Sequence, residues 1–309
     1  MEPIKIAVII PTFNAAASLG LLVSKLQSQK QAVNQILIID SDSTDKTGEL
    51  AQELEVKFIT IEPDSFDHGE TRNLAADHVD GDILVYMTQD ALPANEEVIG
   101  NLIKPLLKEP NIIVSYARQK AVPEASLSEQ YLRLANYPPF SVIKSKEDVP
   151  AMGIKVFQNS NVCAAYRRRE FDLLRRFPYP VPCNEDMLYA ARAIFAGYKV
   201  AYTAEALVWH THCLNCRKLF RRYFDIAASL SCEPRIRTIG KVEAKGFEFF
   251  RNQLAFIGDR GKLYQLPIMF LESGAKYLGY KAGENHNCFP KGLKKYLGLN
   301  TLYWNRLKG

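Results

Sequence analysis

The chain has 309 residues, 47% of them apolar and 24% charged, with a formal net charge of +5. These proportions suit a soluble globular protein with a sizeable core and exclude a disordered or fibrous chain. No apolar run reaches the length of a membrane span, and the six cysteines are scattered, which suits a reducing cytoplasm better than a disulfide framework. No basic and then apolar leader precedes the first strand-like run after Met1-Glu2-Pro3, so no signal peptide is expected. The charge is uneven. Residues 1–212 hold 21 Lys+Arg and 27 Asp+Glu, whereas residues 213–309 hold 18 and 7, balances of −6 and +11. A basic tail on a mildly acidic body points to an anionic partner, either a membrane surface or nucleic acid, unless it is only a solvated face.

Residues 5–10 read Lys-Ile-Ala-Val-Ile-Ile, a run of the kind buried on both faces of a parallel sheet. Pro11-Thr12-Phe13-Asn14 breaks it, and residues 16–28 carry Leu19, Leu22, Val23 and Leu26 at helical spacing. A second strand over 35–40 ends in Asp40-Ser41-Asp42-Ser43-Thr44-Asp45, rich in helix N-cap types, with a helix following to 54. Residues 56–61 make a third strand, and Asp67 and Glu70 open the next helix at capping-box spacing. Gly81-Asp82 leads into the apolar run 83–85 and then Tyr86-Met87-Thr88-Gln89-Asp90-Ala91-Leu92-Pro93. Strands alternating with helices in this way predict right-handed βαβ units, a parallel sheet and a nucleotide-binding half.

After Pro93 the regularity loosens. A helix over 96–108 packs Val98, Leu102, Ile103 and Leu106, and a strand follows over 112–117. Residues 119–151 are polar and carry Pro123, Pro138, Pro139 and Pro150, so they read as loop and short helix. Strand character resumes over 159–166, a basic helix is expected over 167–176, and Asn184-Glu185-Asp186 precedes a helix closed by Gly197. Short strands over 200–202 and 206–209 deliver His210-Thr211-His212. Beyond a boundary near 212 the tail is helical and basic. Arg217-Lys218-Leu219-Phe220-Arg221-Arg222-Tyr223-Phe224 alternates basic and aromatic residues, and 247–256 and 263–280 are amphipathic.

A buried strand that delivers a carboxylate to its carboxyl end is where open α/β sheets place ligands. Asp90 is therefore a candidate to hold a divalent cation against a nucleotide diphosphate, although an Asp shortly before Pro93 is, taken alone, more readily a turn former. Asp40, Asp90 and Glu185-Asp186 can converge in one crevice. With His210 they make a set for metal-assisted transfer, in which Asp90 and an imidazole suit Mn²⁺ or Mg²⁺ and Glu185-Asp186 holds a general base. Arg72, near the start of its helix, is placed to meet nucleotide charge, or else pairs with a surface carboxylate.

Taken together, Pro11-Thr12-Phe13-Asn14, the Asp40 to Asp45 run, Thr71-Arg72-Asn73, Thr88-Gln89-Asp90, Glu185-Asp186 and Val208-Trp209-His210 resemble family 2 glycosyltransferases in order and spacing. The resemblance implies a GT-A fold, an α/β architecture whose Rossmann-like, mostly parallel sheet is flanked by helices, and an inverting transferase that uses a nucleotide sugar. Residues 1–212 are then the GT-A domain, with 1–117 as the nucleotide-sugar-binding half, 118–212 as the acceptor and catalytic half, and 213–309 as a helical basic extension. Phe66-Asp67-His68-Gly69-Glu70-Thr71-Arg72-Asn73, Thr88-Gln89-Asp90-Ala91, the Leu219 to Asp225 segment and Tyr280-Lys281-Ala282-Gly283-Glu284-Asn285 are similar to bacterial rhamnosyltransferases. That subgroup implies dTDP-β-L-rhamnose as donor and a lipid-linked cell-surface polysaccharide as acceptor. The alternatives are a UDP-hexose donor on the same scaffold, or a catalytically silent nucleotide- or glycan-binding module.

On the resemblance, Asp40 reads the pyrimidine ring beside the Pro11-Thr12-Phe13 backbone. Asn14, Asp42, His68, Gly69, Arg72, Asn73 and Gln89 complete the nucleotide-sugar site. Asp90 binds Mg²⁺ or Mn²⁺, with His210 as a further ligand or a diphosphate contact, and His212 and Trp209 are additional candidates. Asp186, beside Glu185, is the catalytic base and flanks the pocket opposite Asp90, while the metal and Arg72 stabilise the leaving diphosphate. Two positions depart from the pattern. Thr88 stands where the usual Asp-x-Asp motif has its first carboxylate, and Ser41 where many relatives have a second Asp. The run His210-Thr211-His212-Cys213-Leu214-Asn215-Cys216 crowds potential zinc ligands together, but zinc sites usually pair ligands from two separated stretches. The basic-aromatic run suggests stacking on RNA. Downstream of a sugar transferase, an amphipathic helix lying on anionic lipid at the cytoplasmic face is expected instead, or else one simply packed against the body of the protein, with no nucleic-acid partner.

Overall fold

The computed structural model describes residues 4–212, 214–237, 239 and 242–307; Met1, Glu2 and Pro3, and Cys213 of the His/Cys run, lie outside them. Strands β1 (Ile6–Thr12), β2 (Gln35–Asp40), β3 (Lys57–Thr60) and β4 (Ile83–Met87) pair in parallel in the order β3-β2-β1-β4. Helices α1 (Ala16–Gln27), α2 (Thr47–Glu53) and α3 (His68–Asp77) make the crossovers. The strand period of two divides the aliphatic residues between two cores. Ala7, Ile9, Leu37, Ile39, Leu84 and Tyr86 face one, and Ile6, Val8, Ile10, Ile38, Val85 and Met87 face the other. This double coverage is why the strands read as nearly unbroken apolar runs.

The start of α3 differs in detail from a capping box. Asp67 Oδ1 accepts the Gly69 and Glu70 N–H groups at 2.8 and 3.1 Å. The return bond comes from Thr71, whose Oγ1 accepts the Asp67 N–H at 3.2 Å, and Glu70 is left exposed.

The chain continues through β5 (Leu92–Pro93), α4 (Val98–Lys108), β6 (Ile112–Lys120), α5 (Leu127–Asn136), β7 (Val142–Lys144) and α6 (Val149–Met152). It then forms β8 (Cys163–Arg167), α7 (Arg168–Leu173), α8 (Glu185–Phe195) and β9 (Lys199–Trp209). The sheet order is β3-β2-β1-β4-β8-β6-β9-β5, with β7 beside β9. β8 runs antiparallel to both β4 and β6, while β6 and β9 are parallel. The two short strands expected over 200–202 and 206–209 are one strand, with a register shift against β6 between Ala117 and Arg118. Such an irregularity bends a strand locally, so the pattern reads as two pieces. The basic helix expected to reach 176 stops at Leu173, and Arg175 and Arg176 take left-handed φ of 63° and 54°.

The tail holds α9 (Cys216–Leu230), α10 (Pro234–Arg237), α11 (Val242–Gly258), α12 (Leu266–Glu284), α13 (Lys291–Leu297) and α14 (Thr301–Arg306). α9 lies directly on α12. A Cβ built on Gly279 would stand 2.2 Å from the Phe220 carbonyl oxygen, and one on Gly283 2.2 Å from that of Phe224, so both glycines are needed for backbone contact. Phe224, Ala228 and Trp304 form a small core, fastened by Asp225, which accepts the Trp304 Nε1–H at 2.7 Å and the Asn300 N–H at 2.7 Å. The tail is tied to the sheet body by the Cys183 N–H on Ser229 Oγ at 3.1 Å and by Asn300 Nδ2 on the Pro182 carbonyl at 2.9 Å. The basic-aromatic helix expected to lie on lipid therefore spends its apolar face inside the protein. Arg221 likewise donates to the Gly298 carbonyl, and Arg217 stacks over Tyr296.

Candidate active site

Asp90 follows β4, whereas His210 and His212 follow β9, some 120 residues later. They meet because β5 pairs antiparallel with the end of β9, setting Leu92 against Trp209 and Pro93 against Val208. Trp209 thus holds the strand pair in register, with Lys120 over its ring at 5.1 Å. Asp90 Oδ2 stands 3.3 Å from His210 Nε2 and 3.9 Å from His212 Nδ1. One candidate ligand atom from each of the three residues lies within 4.8 Å of the others. His210 is 1% exposed at its side chain, His212 28% and Asp90 45%, so the cluster opens toward solvent on the carboxylate side. Cys216 is not in this cluster, and Cys213 of the same run lies outside the described residues.

The tautomer of His210 follows from its neighbours. Arg133 Nη1, which can only donate, gives a hydrogen bond to Gln119 Oε1 at 2.6 Å and thereby fixes which end of the amide is oxygen. That oxygen also meets His210 Nδ1 at 2.9 Å, so Nδ1 carries the proton. His210 Nε2 is then a lone pair, buried, without a hydrogen-bond partner, and aimed at the Asp90 carboxylate. Two acceptors facing each other at this distance repel unless a cation lies between them. Burial lowers the pKa of His210, and burial with the Arg222 charge pushes His212 down to about 3, so both rings are held in the neutral, ligating form. A carboxylate and two neutral imidazoles fit a divalent cation with coordination positions left for substrate oxygens. Thr88, at the departing Asp-x-Asp position, adds a buried hydroxyl rather than a second charge.

A second acidic centre sits at the start of α8, where Asn184 takes a left-handed φ of 60°. The two carboxylates differ sharply. Glu185 is buried, pairs with Arg72 at 3.3 Å and accepts Asn161 Nδ2–H at 2.9 Å. Burial works against its charge, but Arg72 and His68 outweigh it and lower its pKa. Asp186 is half-buried and accepts only backbone N–H groups, from Asn161 at 2.8 Å and Met187 at 2.7 Å. Burial and the neighbouring Glu185 charge push its pKa up to about 7. The pair therefore consists of one locked anion and one group poised to exchange a proton. No ion pair joins Asp186 to the Asp90 cluster among the described residues.

Several expected nucleotide contacts are placed differently. Arg72 is 5% exposed and committed to Glu185, so it is a partner of the acidic pair rather than a free cation for diphosphate. Asn73 holds the Phe177 backbone through both ends of its amide, at 2.9 and 3.1 Å. Gly69 is a close-packing position, since a Cβ there would stand 2.3 Å from the Pro178 carbonyl oxygen. His68 stacks edge-on with Phe66, and its carbonyl accepts from Arg72. Asp40, 2% exposed, accepts Thr12 Oγ1–H, Ser43 Oγ–H and Ser43 N–H at 2.7 Å each, tying the end of β1 to the turn after β2. Gln89 clamps the Phe13 backbone from both sides, at 2.8 and 3.0 Å. What this edge exposes is the Phe13 ring, 53% open, with Asn14 and Asp42, both at left-handed φ, while Pro11 is half-buried in β1.

Sequence reasoning missed Gln119, Arg133, Asn161 and Arg222. The signal for Arg133 was present: Ser126-Leu127-Ser128-Glu129 has capping-box spacing, and Ser126 does cap α5 by accepting the Glu129 N–H at 3.2 Å. Glu129 then pairs with Arg133 at 2.7 Å and accepts the His212 N–H at 3.2 Å. Beside this cluster lies a cavity of about 500 Å³ between α5, α9 and α12, whose lining includes Glu129, Tyr137, His212, Arg222, Glu272 and Lys276.

Comparison with known proteins gives this geometry a family. The model for glycosyl transferase family 2 matches residues 7–174. The chain is 37% identical over 307 residues to the O-antigen chain rhamnosyltransferase RfbN of Salmonella typhimurium, covering 98% of this chain and 97% of that relative. It is 37% identical over 303 residues to WbaN of Salmonella anatum, also an O-antigen chain rhamnosyltransferase, covering 97% and 96%. Among solved structures, the mannosyltransferase PcManGT from Pyrobaculum calidifontis in complex with GDP-Man and Mn²⁺ matches with a TM-score of 0.57 at 17% identity, covering 94% of this chain and 77% of that one. TarS residues 1–349 from S. aureus, in complex with UDP-GlcNAc, match with a TM-score of 0.54 at 16% identity, covering 92% and 91%. These two share the fold, which is GT-A, as the motifs led one to expect. With the family model and two nearly full-length relatives in agreement, the chain belongs to glycosyl transferase family 2.

Proposed function

We propose that the enzyme is an inverting rhamnosyltransferase that takes L-rhamnose from dTDP-β-L-rhamnose and passes it to a lipid-linked polysaccharide acceptor, with a divalent cation, Mg²⁺ or Mn²⁺, at Asp90, His210 and His212. The observation that carries the reading is the facing of His210 Nε2 and the Asp90 carboxylate, two acceptors that need a cation between them. The rhamnosyl specificity rests on the two Salmonella relatives. When bound, the cation supplies positive charge to the diphosphate as it leaves.

The residues of the chain supply the rest. The acceptor hydroxyl attacks the anomeric carbon from the face opposite the diphosphate. A C–O bond forms to the acceptor, the bond from that carbon to the diphosphate oxygen breaks, and Asp186 takes the hydroxyl proton. Glu185 cannot do this, because Arg72 and Asn161 hold it as an anion. Its charge instead raises the proton affinity of Asp186 into the range useful to a base at neutral pH. The cavity beside His212 is the acceptor approach, since it reaches the cluster from the side of α5 and the tail. The acceptor places the enzyme at the cytoplasmic face of the membrane.

The test is turnover of purified protein with Mn²⁺ or Mg²⁺, a lipid-linked acceptor and either dTDP-rhamnose or UDP-glucose. Transfer from dTDP-rhamnose that stops with a chelator is expected. Transfer from UDP-glucose alone would overturn the donor assignment, and full activity in chelator the metal site.

A further inference from the structure

Helix α12 is apolar on two opposite faces. One face is committed, because Met269, Gly279 and Gly283 are buried, with both glycines against the α9 backbone. At about 100° per residue, Phe270, Leu271, Gly274, Tyr277 and Leu278 fall on the other half of the circumference. That half is open. Phe270 is 52% exposed, Leu271 63%, Tyr277 59% and Leu278 59%. The stripe continues at its N-terminal end into Leu263 at 60% and Tyr264 at 73%. Phe250 of α11 covers Phe270 from one flank, at 5.3 Å between ring centroids, and leaves the outward side bare. So large an exposed apolar patch marks an interaction surface.

We infer that this face of α12 docks on an anionic lipid bilayer, lying in the interface plane. Charge selects the occupant. Residues 213–309 carry 18 Lys+Arg against 7 Asp+Glu, a surplus matched to anionic headgroups. Arg260 and Lys262, both exposed, stand in the turn that leads into the stripe, and Lys262 Nζ lies 6.0 Å from the Tyr264 ring centroid. Cations and aromatic rings displayed beside an apolar face suit the headgroup level of a membrane. A second copy of the chain would instead bring two basic tails together. Among the described residues no helix is long and apolar enough to cross a membrane, so the contact is superficial. The purpose of the contact rests on the lipid-linked acceptor proposed above, but its test requires no sugar.

The experiment is co-sedimentation of the full chain with phosphatidylcholine vesicles, with and without phosphatidylglycerol. Binding is expected only with the anionic lipid, and it should weaken at high salt. Leu271→Ser combined with Leu278→Ser should lower the bound fraction about tenfold or more, since both side chains lose apolar contact with lipid. Thermal unfolding shows whether that variant folds. Arg260→Ala combined with Lys262→Ala, on an exposed turn, gives an independent arm and should weaken anionic binding several-fold. The inference is overturned if wild-type protein ignores anionic vesicles or if both double variants bind as wild type. A dimer that the leucine variant splits, with no vesicle binding, would assign the face to a second copy instead. Vesicle binding without sugar transfer would sink the proposed activity and leave the docking face standing.

Discussion

Arg133 and His210 share one oxygen: the side-chain carbonyl of Gln119 accepts from Arg133 Nη1 at 2.6 Å and meets His210 Nδ1 at 2.9 Å. The arginine thereby decides the tautomer of the histidine without touching it. Gln119→Leu keeps the strand position but removes the acceptor that holds the proton on Nδ1. Mn²⁺ affinity measured by calorimetry or spin resonance should fall about 10- to 100-fold, the usual cost of losing a partner of a metal-bound imidazole. Unchanged Mn²⁺ binding would mean that the tautomer is set elsewhere.

Asp186→Asn removes the base while keeping the shape of the α8 N-terminus. Transfer should drop about 10²- to 10⁴-fold, the span typical of a lost general base, while binding of dTDP with Mn²⁺ stays near wild type. A variant that turns over normally would remove Asp186 from the chemistry.

The pH profile tests the origin of that base. The pKa of Asp186 is raised to about 7, so the ionised form needed to accept a proton is depleted as pH falls below that value. The rate should fall on the acid side with a slope approaching tenfold per pH unit. Glu185→Gln removes the repelling charge, and the acid limb should move to lower pH by about one unit. An unmoved limb would show that burial alone sets the shift.

The Arg72–Glu185 pair is predicted to matter to stability as much as to catalysis. Both side chains are 6% exposed, so Arg72→Met leaves an uncompensated buried carboxylate. The expected loss is about 3–5 kcal/mol in denaturant unfolding, and Arg72→Met with Glu185→Gln should recover much of it. If the double variant is no more stable than the single one, the ion pair is not what Arg72 provides.

The parallel half of the fold was legible because its signals are local. Aliphatic runs mark β1, β2 and β4, and residues of helix N-cap type follow β2. Asp90, His210 and Asp186 were legible as motif positions. The surroundings of those residues were not, because they depend on contacts across the chain. Arg72 faces Glu185 only once α3 packs near α8, over a separation of 113 positions. Gln119 lay at the edge of a stretch whose prolines obscured the Ser126 cap of α5. The apolar face of the Arg217 to Phe224 helix read as free because its covering residues, Gly279, Gly283 and Trp304, come much later in the chain.

The α9–α12 contact connects tail packing to the active site. Gly279→Ala places a methyl group 2.2 Å from the Phe220 carbonyl oxygen, a backbone atom held in a helix, so the two helices must separate. Overpacking of this kind costs about 1–3 kcal/mol, readable as a lower denaturant midpoint. α9 carries Arg222 and α12 carries Glu272 and Lys276, which line the cavity beside His212. Separating the helices should therefore raise the acceptor KM several-fold. Affinity for dTDP should change little, since Asp90, His210 and the end of β1 lie on the sheet side. An equal loss of dTDP affinity would place the cavity on the donor's path, whereas a stability loss with both constants unchanged would leave the tail a purely structural role.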